Sequence, residues 1–226
     1  MPSQLVLPFG VKPKQTREDF IVAPCNEQAL RFIERWPDWP VRAAGIYGPR
    51  GCGKTHLGRI WQAAAQAVVI TAAELPLQGP PSVDAGTAVV IEDFDASIPS
   101  PERDRALLAL FERPAAWLLF TSREPPSQWT AQIGDLRSRF DALLAFAMWD
   151  IDEALLLGLI HKHFADRQLE VPEPVIRRIL THIDRTPAAV AAFVARADAK
   201  ALSEKRAVTQ SLVVELIDDE QGRNPV

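Results

Sequence analysis

The sequence has few cysteines and no surplus of positive charge. Cys25 and Cys52 are the two thiols among 226 residues, and Cys52 falls inside a glycine-rich loop. A disulfide framework is therefore excluded, a structural disulfide is not expected, and a reducing compartment fits. Lysine and arginine number 25 against 29 aspartates and glutamates, for a net charge of −4. No overall basic field exists to hold a nucleic-acid backbone, so strong direct DNA binding is not expected. No run approaches the ~18 apolar residues that a membrane-spanning helix needs. The N-terminus lacks the charged-then-apolar order of a secretory signal, so a cytoplasmic protein with no membrane partner is expected. His161, His163 and His182 do not have metal-site spacing. The six tryptophans are scattered along the chain and trace no base-stacking stripe. Charged groups such as "RDR" (103–105) and "RR" (177–178) read as solvated helix faces.

What the chain does have is an apolar fraction of 47%, enough for a real core. Residues 1–19 show no period and read as a flexible tail. In "NEQALRFIERW", Ala29, Leu30, Ile33 and Trp36 form one helical stripe, which the following prolines end. Five short apolar runs follow, at 43–48, 67–71, 87–93, 116–122 and 142–148, and they do not alternate. Such runs are strands buried on both faces, as in a parallel sheet. Helical segments lie between several of them, which predicts an α/β layered domain over 20–150. Beyond Trp149 the strand signal stops. Four helical segments predict a small all-α domain over 151–220, with Thr186 and Thr209 as N-caps and Pro187 at the first helical position.

The chemistry is carried by "GPRGCGKT", residues 48–55. Gly48, Gly53, Lys54 and Thr55 complete the spacing G-x-x-x-x-G-K-[ST], after an apolar strand and at the start of a helix. Glycines allow backbone N–H groups to turn in on phosphate oxygens, and the helix N-terminus adds positive potential. Lys54 is then the residue for the β- and γ-phosphates, and Thr55 supplies a hydroxyl to Mg²⁺. The loop residues Pro49, Arg50, Gly51 and Cys52, with His56 just beyond, complete the expected cradle for ADP or ATP. A second acidic site closes the third apolar run: "AVVIEDFD" ends in Glu92, Asp93 and Asp95. Glu92 and Asp93 are the expected partners of Thr55 around the metal.

These segments resemble a known family. "DFIVAPCNEQAL", "GIYGPRGCGKTHL", "VVIEDFD", "LLFTSREPP", "DLRSRF" and the helical tail follow, in order, the AAA+ module of the replication initiator DnaA, over about residues 20–218. With about ten residues after the last helical segment, the initiator's DNA-reading domain is not expected. A module of this kind with a short N-terminal tail is similar to the Hda-type relatives that inactivate the initiator. The resemblance implies an AAA+ P-loop fold, a five-stranded parallel sheet followed by a helical lid, with nucleotide between them. It places Phe20, Ile21 and Asn26 at the adenine pocket, where core packing of Phe20 and Ile21 is an equal alternative. It makes Arg139 in "LRSRF" an arginine finger acting in trans on ATP held by DnaA. It makes Gln4, Leu5, Leu7, Pro8 and Phe9 in "QLVLPF" a docking peptide for the DNA polymerase III sliding clamp (beta). Three departures stand out: Glu92 where the family has aspartate, Arg123 where "TSD" or "TGD" would carry an acid, and Ala188 where the lid arginine belongs, with Arg185 one turn earlier. They imply weak ATP turnover by the chain itself, which then acts as an activator of a partner's hydrolysis. A self-standing AAA+ ATPase or helicase-loader-like remodeller is the other reading, and a homodimer is left open.

Overall fold

The computed structural model describes residues 15–75, 86–149 and 152–222. The clamp-docking residues Gln4, Leu5, Leu7, Pro8 and Phe9 lie outside them. Helix α1 spans Glu27–Glu34 and strand β1 Ala43–Tyr47; α2 spans Lys54–Ala65, β2 Val68–Thr71 and β3 Ala88–Glu92. Then come α3 (Pro101–Phe111), β4 (Trp117–Ser122), α4 (Gly134–Asp141) and β5 (Leu144–Ala147). Four helices follow, α5 (Glu153–Ala165), α6 (Glu173–Leu180), α7 (Pro187–Glu204) and α8 (Gln210–Gly222).

The five strands make one parallel sheet in the order β2-β3-β4-β1-β5. The absence of polar alternation in the sequence is explained by what covers each face. Ala88 and Val90 of β3 and Leu119 of β4 point into a core built with α1 and α2. Their chain neighbours Val89, Ile91, Leu118 and Phe120 point into a second core with α3 and α4. Both faces are thus apolar, as a sheet sandwiched between helices requires. A third core, from Leu156, Ile160, Ile176, Phe193 and Leu212 among others, holds α5–α8 together. Thr186 caps α7, its hydroxyl accepting from Ala189 N at 3.1 Å, and Pro187 takes the first helical position, where its missing N–H is no loss.

One sequence reading gains its physical reason here, and another needs correction. Tryptophans from three parts of the chain come together: Trp36 and Trp39, Trp61, and Trp117, with Trp39 and Trp61 stacked at 4.8 Å between centroids. They pack the α1–α2 face of the sheet rather than forming a stripe for bases. "RDR" is a solvated face only at Arg105. Arg103 and Asp104 are buried at 1% and 0% exposure, paired through Arg103 Nη2 to Asp104 Oδ1 at 2.8 Å. Asp104 also accepts from the backbone N–H groups of Gln132 and Ile133, and Arg103 donates to the Thr130 carbonyl at 2.6 Å. The pair therefore ties α3 to the turn that launches α4.

Candidate nucleotide-binding site

In an open parallel sheet, ligands bind beyond the carboxyl ends of the strands. A cleft of about 580 Å³ lies there, within the range of small-molecule sites. Gln15, Arg50, Gly51, Gly53, Lys54 and Thr55 line it, with His56, Asp93, Asp95, Ala96, Arg123 and Pro187.

The loop is built by its neighbours. Gly48 N donates to Ser122 O at 3.2 Å, joining the start of the loop to the end of β4. At Gly48 a Cβ would lie 2.1 Å from the Met148 carbonyl oxygen, so the backbone passes where no side chain fits. Gly53 sits at φ +102°, in left-handed space that glycine enters without strain, and opens α2. Lys54 is buried and donates to Gly48 O and Pro49 O, both at 2.8 Å. Its ammonium is thereby held at the centre of the loop's arc. Cys52 is buried beside it, and burial raises the pKa of its thiol against the pull of Lys54, so it is no thiolate nucleophile. Arg50 and Thr55 are exposed to the cleft.

The acids divide in a way the sequence did not show. Asp93 adopts φ +51°, a left-handed turn at the end of β3, and its N–H donates to Thr121 Oγ1 at 3.2 Å. Asp93 and Asp95 line the cleft. Glu92 does not. Its Oε2 sits 3.8 Å from Arg59 Nη2, and its Oε1 is buried with no hydrogen-bond partner. Besides the Gln15 amide, the cleft holds the Thr55 hydroxyl and the Asp93 and Asp95 carboxylates, and both Asp95 oxygens accept from Arg123. Hard oxygen ligands of this kind suit Mg²⁺, which keeps several waters and takes one or two carboxylates besides phosphate. Among the described residues no three His, Cys, Asp or Glu side chains form a metal cluster by themselves.

Burial pushes the Glu92 carboxyl up; Arg59 opposes this and Asp93 adds to it. A carboxyl raised in the folded state keeps its proton after the unfolded chain has lost it, so stability falls as pH rises through that interval. Glu92→Gln is expected to melt above the parent at about pH 7, with the gain shrinking toward about pH 4, where both states are protonated. Melting curves across that range check it; a gain that does not change with pH would assign the effect to packing alone.

Phe20 is buried, packing edge-on against the His56 ring with centroids 5.1 Å apart, and its ring approaches Gly53. Ile21 meets Gly158 of α5. Asn26 spends its amide on the local turn, Oδ1 accepting from Ala23 N and Nδ2 donating to Ile21 O, both at 3.0 Å. These three residues therefore form the wall that joins α1, the loop and α5. Residues 15–19, read as tail, are held to the same wall: His56 Nε2 meets Thr16 O at 2.8 Å and Asp19 pairs with Lys162 of α5 at 2.8 Å. Above the loop, Pro187 at the start of α7 lies 3.7 Å from a Cβ built on Gly51. Ala188 is exposed, and Arg185 pairs with Glu153 at 3.6 Å rather than lining the cleft.

Arg139 is on α4 and is not among the cleft's lining residues. It is one-third exposed, pairs with Asp135 at 3.2 Å and Glu112 at 3.8 Å, and lies over the Phe111 ring. Arg137, two residues before it, donates to the carbonyls of Trp129 and Ser127 and so anchors the preceding turn. Two groups had no role in the sequence reading, the Asp95–Arg123 ion pair and the buried Arg103–Asp104 pair. The first had a signal, an arginine where an acid was expected; the second had none.

Comparison with known proteins is consistent with this geometry. No family model matches the chain. The replication initiator protein DnaA of Caulobacter vibrioides is 28% identical over 179 residues, covering 68% of this chain and 36% of the relative. The chain thus spans about a third of the length of the curated relatives it matches. Domain III of Thermotoga maritima DnaA superposes with a TM-score of 0.73 at 20% identity, covering 92% of this chain and 97% of that one. AMPPCP-bound DnaA from Aquifex aeolicus gives 0.69 at 18% identity, covering 82% and 65%. Thermotoga maritima RuvB, a Holliday junction branch migration motor, gives 0.70 at 16% identity, covering 91% and 72%. Among the described residues no helix is long and apolar enough to cross a membrane. The chain has the AAA+ P-loop fold, a five-stranded parallel sheet with flanking helices and a helical C-terminal part, and it is similar in sequence and structure to the AAA+ domain of the replication initiator DnaA.

Proposed function

We propose that the chain is a nucleotide-binding AAA+ regulator of replication initiation, which binds ADP or ATP with Mg²⁺ in its own cleft and promotes hydrolysis of ATP held by DnaA. The observation that carries this reading is the location of Arg139: outside its own cleft, partly exposed, on a helix tethered at its start by Asp104 and Arg137. A guanidinium so placed acts on a neighbour's phosphate by stabilising charge in the transition state. Its partners Asp135 and Glu112 are largely exposed, so exchanging them for a phosphate costs little. The tail residues Gln4, Leu5, Leu7, Pro8 and Phe9 supply the attachment to the sliding clamp, with Leu7 and Phe9 as apolar anchors.

The test measures hydrolysis of DnaA-bound ATP with clamp present. Arg139→Ala is expected to lower the stimulated rate by about 10³-fold, the smaller end of what trans-acting arginines supply. The triple change Gln4→Ala, Leu7→Ala, Phe9→Ala is expected to abolish capture on isolated clamp. Unchanged stimulation by Arg139→Ala sinks the proposal. The second reading, a self-standing ATPase, draws on Asp93, a carboxylate in the cleft with Thr55 and Lys54. Rapid turnover by the isolated chain, lost in Asp93→Asn, would favour it.

A further inference from the structure

Residues 15–19 bridge the cleft, α1 and the four-helix unit. Thr16 O accepts from His56 Nε2 at 2.8 Å, beside the phosphate loop in the first turn of α2. Arg17 pairs with Glu34 at the end of α1. Asp19 pairs with Lys162 of α5 at 2.8 Å. Gln15, at the head of the segment, lines the cleft, as His56 does. Phe20, which follows it, is buried against the His56 ring and beside Gly53. The segment therefore runs from the rim of the cleft to α5.

The Asp19 carboxylate works on two sides. Oδ2 accepts from Thr16 Oγ1 at 2.9 Å, and Phe20 N donates to Arg17 O at 3.2 Å, so the segment is folded into a turn. Oδ1 accepts from Lys162 Nζ. The two side chains of this pair are 21% and 24% exposed, so water and salt screen it less than a surface pair. The Lys162 hydrogen bond is the main cause that holds the Asp19 carboxyl below its ordinary pKa. Lys162 also pairs with Asp166 at 2.8 Å, within its own stretch of chain. The two carboxylates differ in what they join: Asp166 ties Lys162 to the end of α5, and Asp19 ties α5 to the segment beside the loop.

We propose that residues 15–19 are a latch, closed by Asp19 on Lys162, that holds the four-helix unit to the loop and so sets how fast a nucleotide leaves and enters the cleft. This rests on the nucleotide reading of the cleft and adds control of its exchange. Asp19 and Lys162 are not among the cleft's lining residues. Groups that bar the path of a ligand without touching it slow its release and its entry together, and leave Kd nearly unchanged.

The experiment loads the full chain with a fluorescent Mg²⁺-ADP, chases it with excess unlabelled ADP, and measures Kd alongside. The parent is compared with Asp19→Asn, Lys162→Met, the double variant and Asp166→Asn. Asp19→Asn and Lys162→Met are each expected to speed release about tenfold, the effect of one hydrogen bond to a charged group, with Kd held within about threefold. The double variant is expected to release no faster than the single ones, since all three remove the same contact. Asp166→Asn is expected to keep the parent's rate. Unchanged release in Asp19→Asn, a double variant faster than both single ones, a change in Kd as large as the change in rate, or equal acceleration by Asp166→Asn overturns the inference. Failure of the parent to bind the nucleotide strikes the cleft reading itself, and with it this inference.

Discussion

Lys54→Ala is expected to lower affinity for ADP and ATP by on the order of 100-fold while leaving the chain folded. The ammonium is buried at the centre of the loop, and its two carbonyl partners, Gly48 O and Pro49 O, belong to the loop itself. Their geometry also depends on contacts that Lys54 does not make: Gly48 N on Ser122 O, and Met148 N on Tyr47 O at 2.7 Å. Removing the side chain therefore spares the loop's frame and deletes its central charge. Hydrogen bonds to a charged group contribute about 1.5–3 kcal/mol, and a loss at the upper end corresponds to the stated fold-change. Isothermal titration reads the affinity, and melting curves with and without nucleotide give a second readout. Ligand stabilisation grows as the logarithm of concentration over Kd, so the nucleotide-induced rise in Tm should nearly vanish in the variant. A variant that still gains the parent's full rise would refute the assignment of Lys54.

The largest effect on stability is expected from Asp104→Ala, about 3–5 kcal/mol. The change leaves the Arg103 guanidinium buried without its counter-charge and removes the acceptor from the N–H groups of Gln132 and Ile133. Both losses fall where water cannot easily substitute, since Arg103 is 1% exposed and lies over the Phe94 ring. The double change Arg103→Met, Asp104→Leu should be milder, because an apolar pair of similar volume carries no stranded charge. It should still cost more than nothing, as the two N–H groups keep no acceptor. Chemical denaturation of the parent, Arg103→Met, Asp104→Leu and the double variant closes the cycle, with Asp104→Ala measured beside it. Hydrogen exchange should report faster opening at 130–141 than in α5–α8, since the pair tethers the start of α4. A double variant as unstable as Asp104→Ala would count against the stranded-charge explanation.

The contrast between Lys54 and Asp104 marks how far the sequence could be read. The phosphate loop was legible because a fixed spacing of glycine, lysine and threonine has one backbone solution at a strand-helix junction. The strands were legible because continuous apolar runs have one use in a layered α/β domain. Arg103 and Asp104 were not, since a charged triplet on a helix is indistinguishable from a solvated face until the turn at 130–133 is seen to close over it. The tryptophans were likewise joined by strand order: β1 and β4 are adjacent in space, with α2, β2, β3 and α3 between them in sequence. Glu92 and Asp93 looked equivalent as an acidic pair. The left-handed turn at Asp93 separates them, leaving one beside Arg59 and the other in the cleft.

The close approach of Gly48 to Met148 carries a consequence for motion. Met148 is the next residue after β5 and leads toward α5, while Gly48 begins the loop that faces α7 through Gly51. A Cβ at Gly48 would collide with the Met148 carbonyl, and Met148 N donates to Tyr47 O just before the loop. A swing of the four-helix unit about its connection to the sheet would therefore press directly on the amides at the loop's entrance. Were α5–α8 to swing, the displacement would be expected to reach the loop's entrance at the place where Gly48 leaves no room for a Cβ beside Met148.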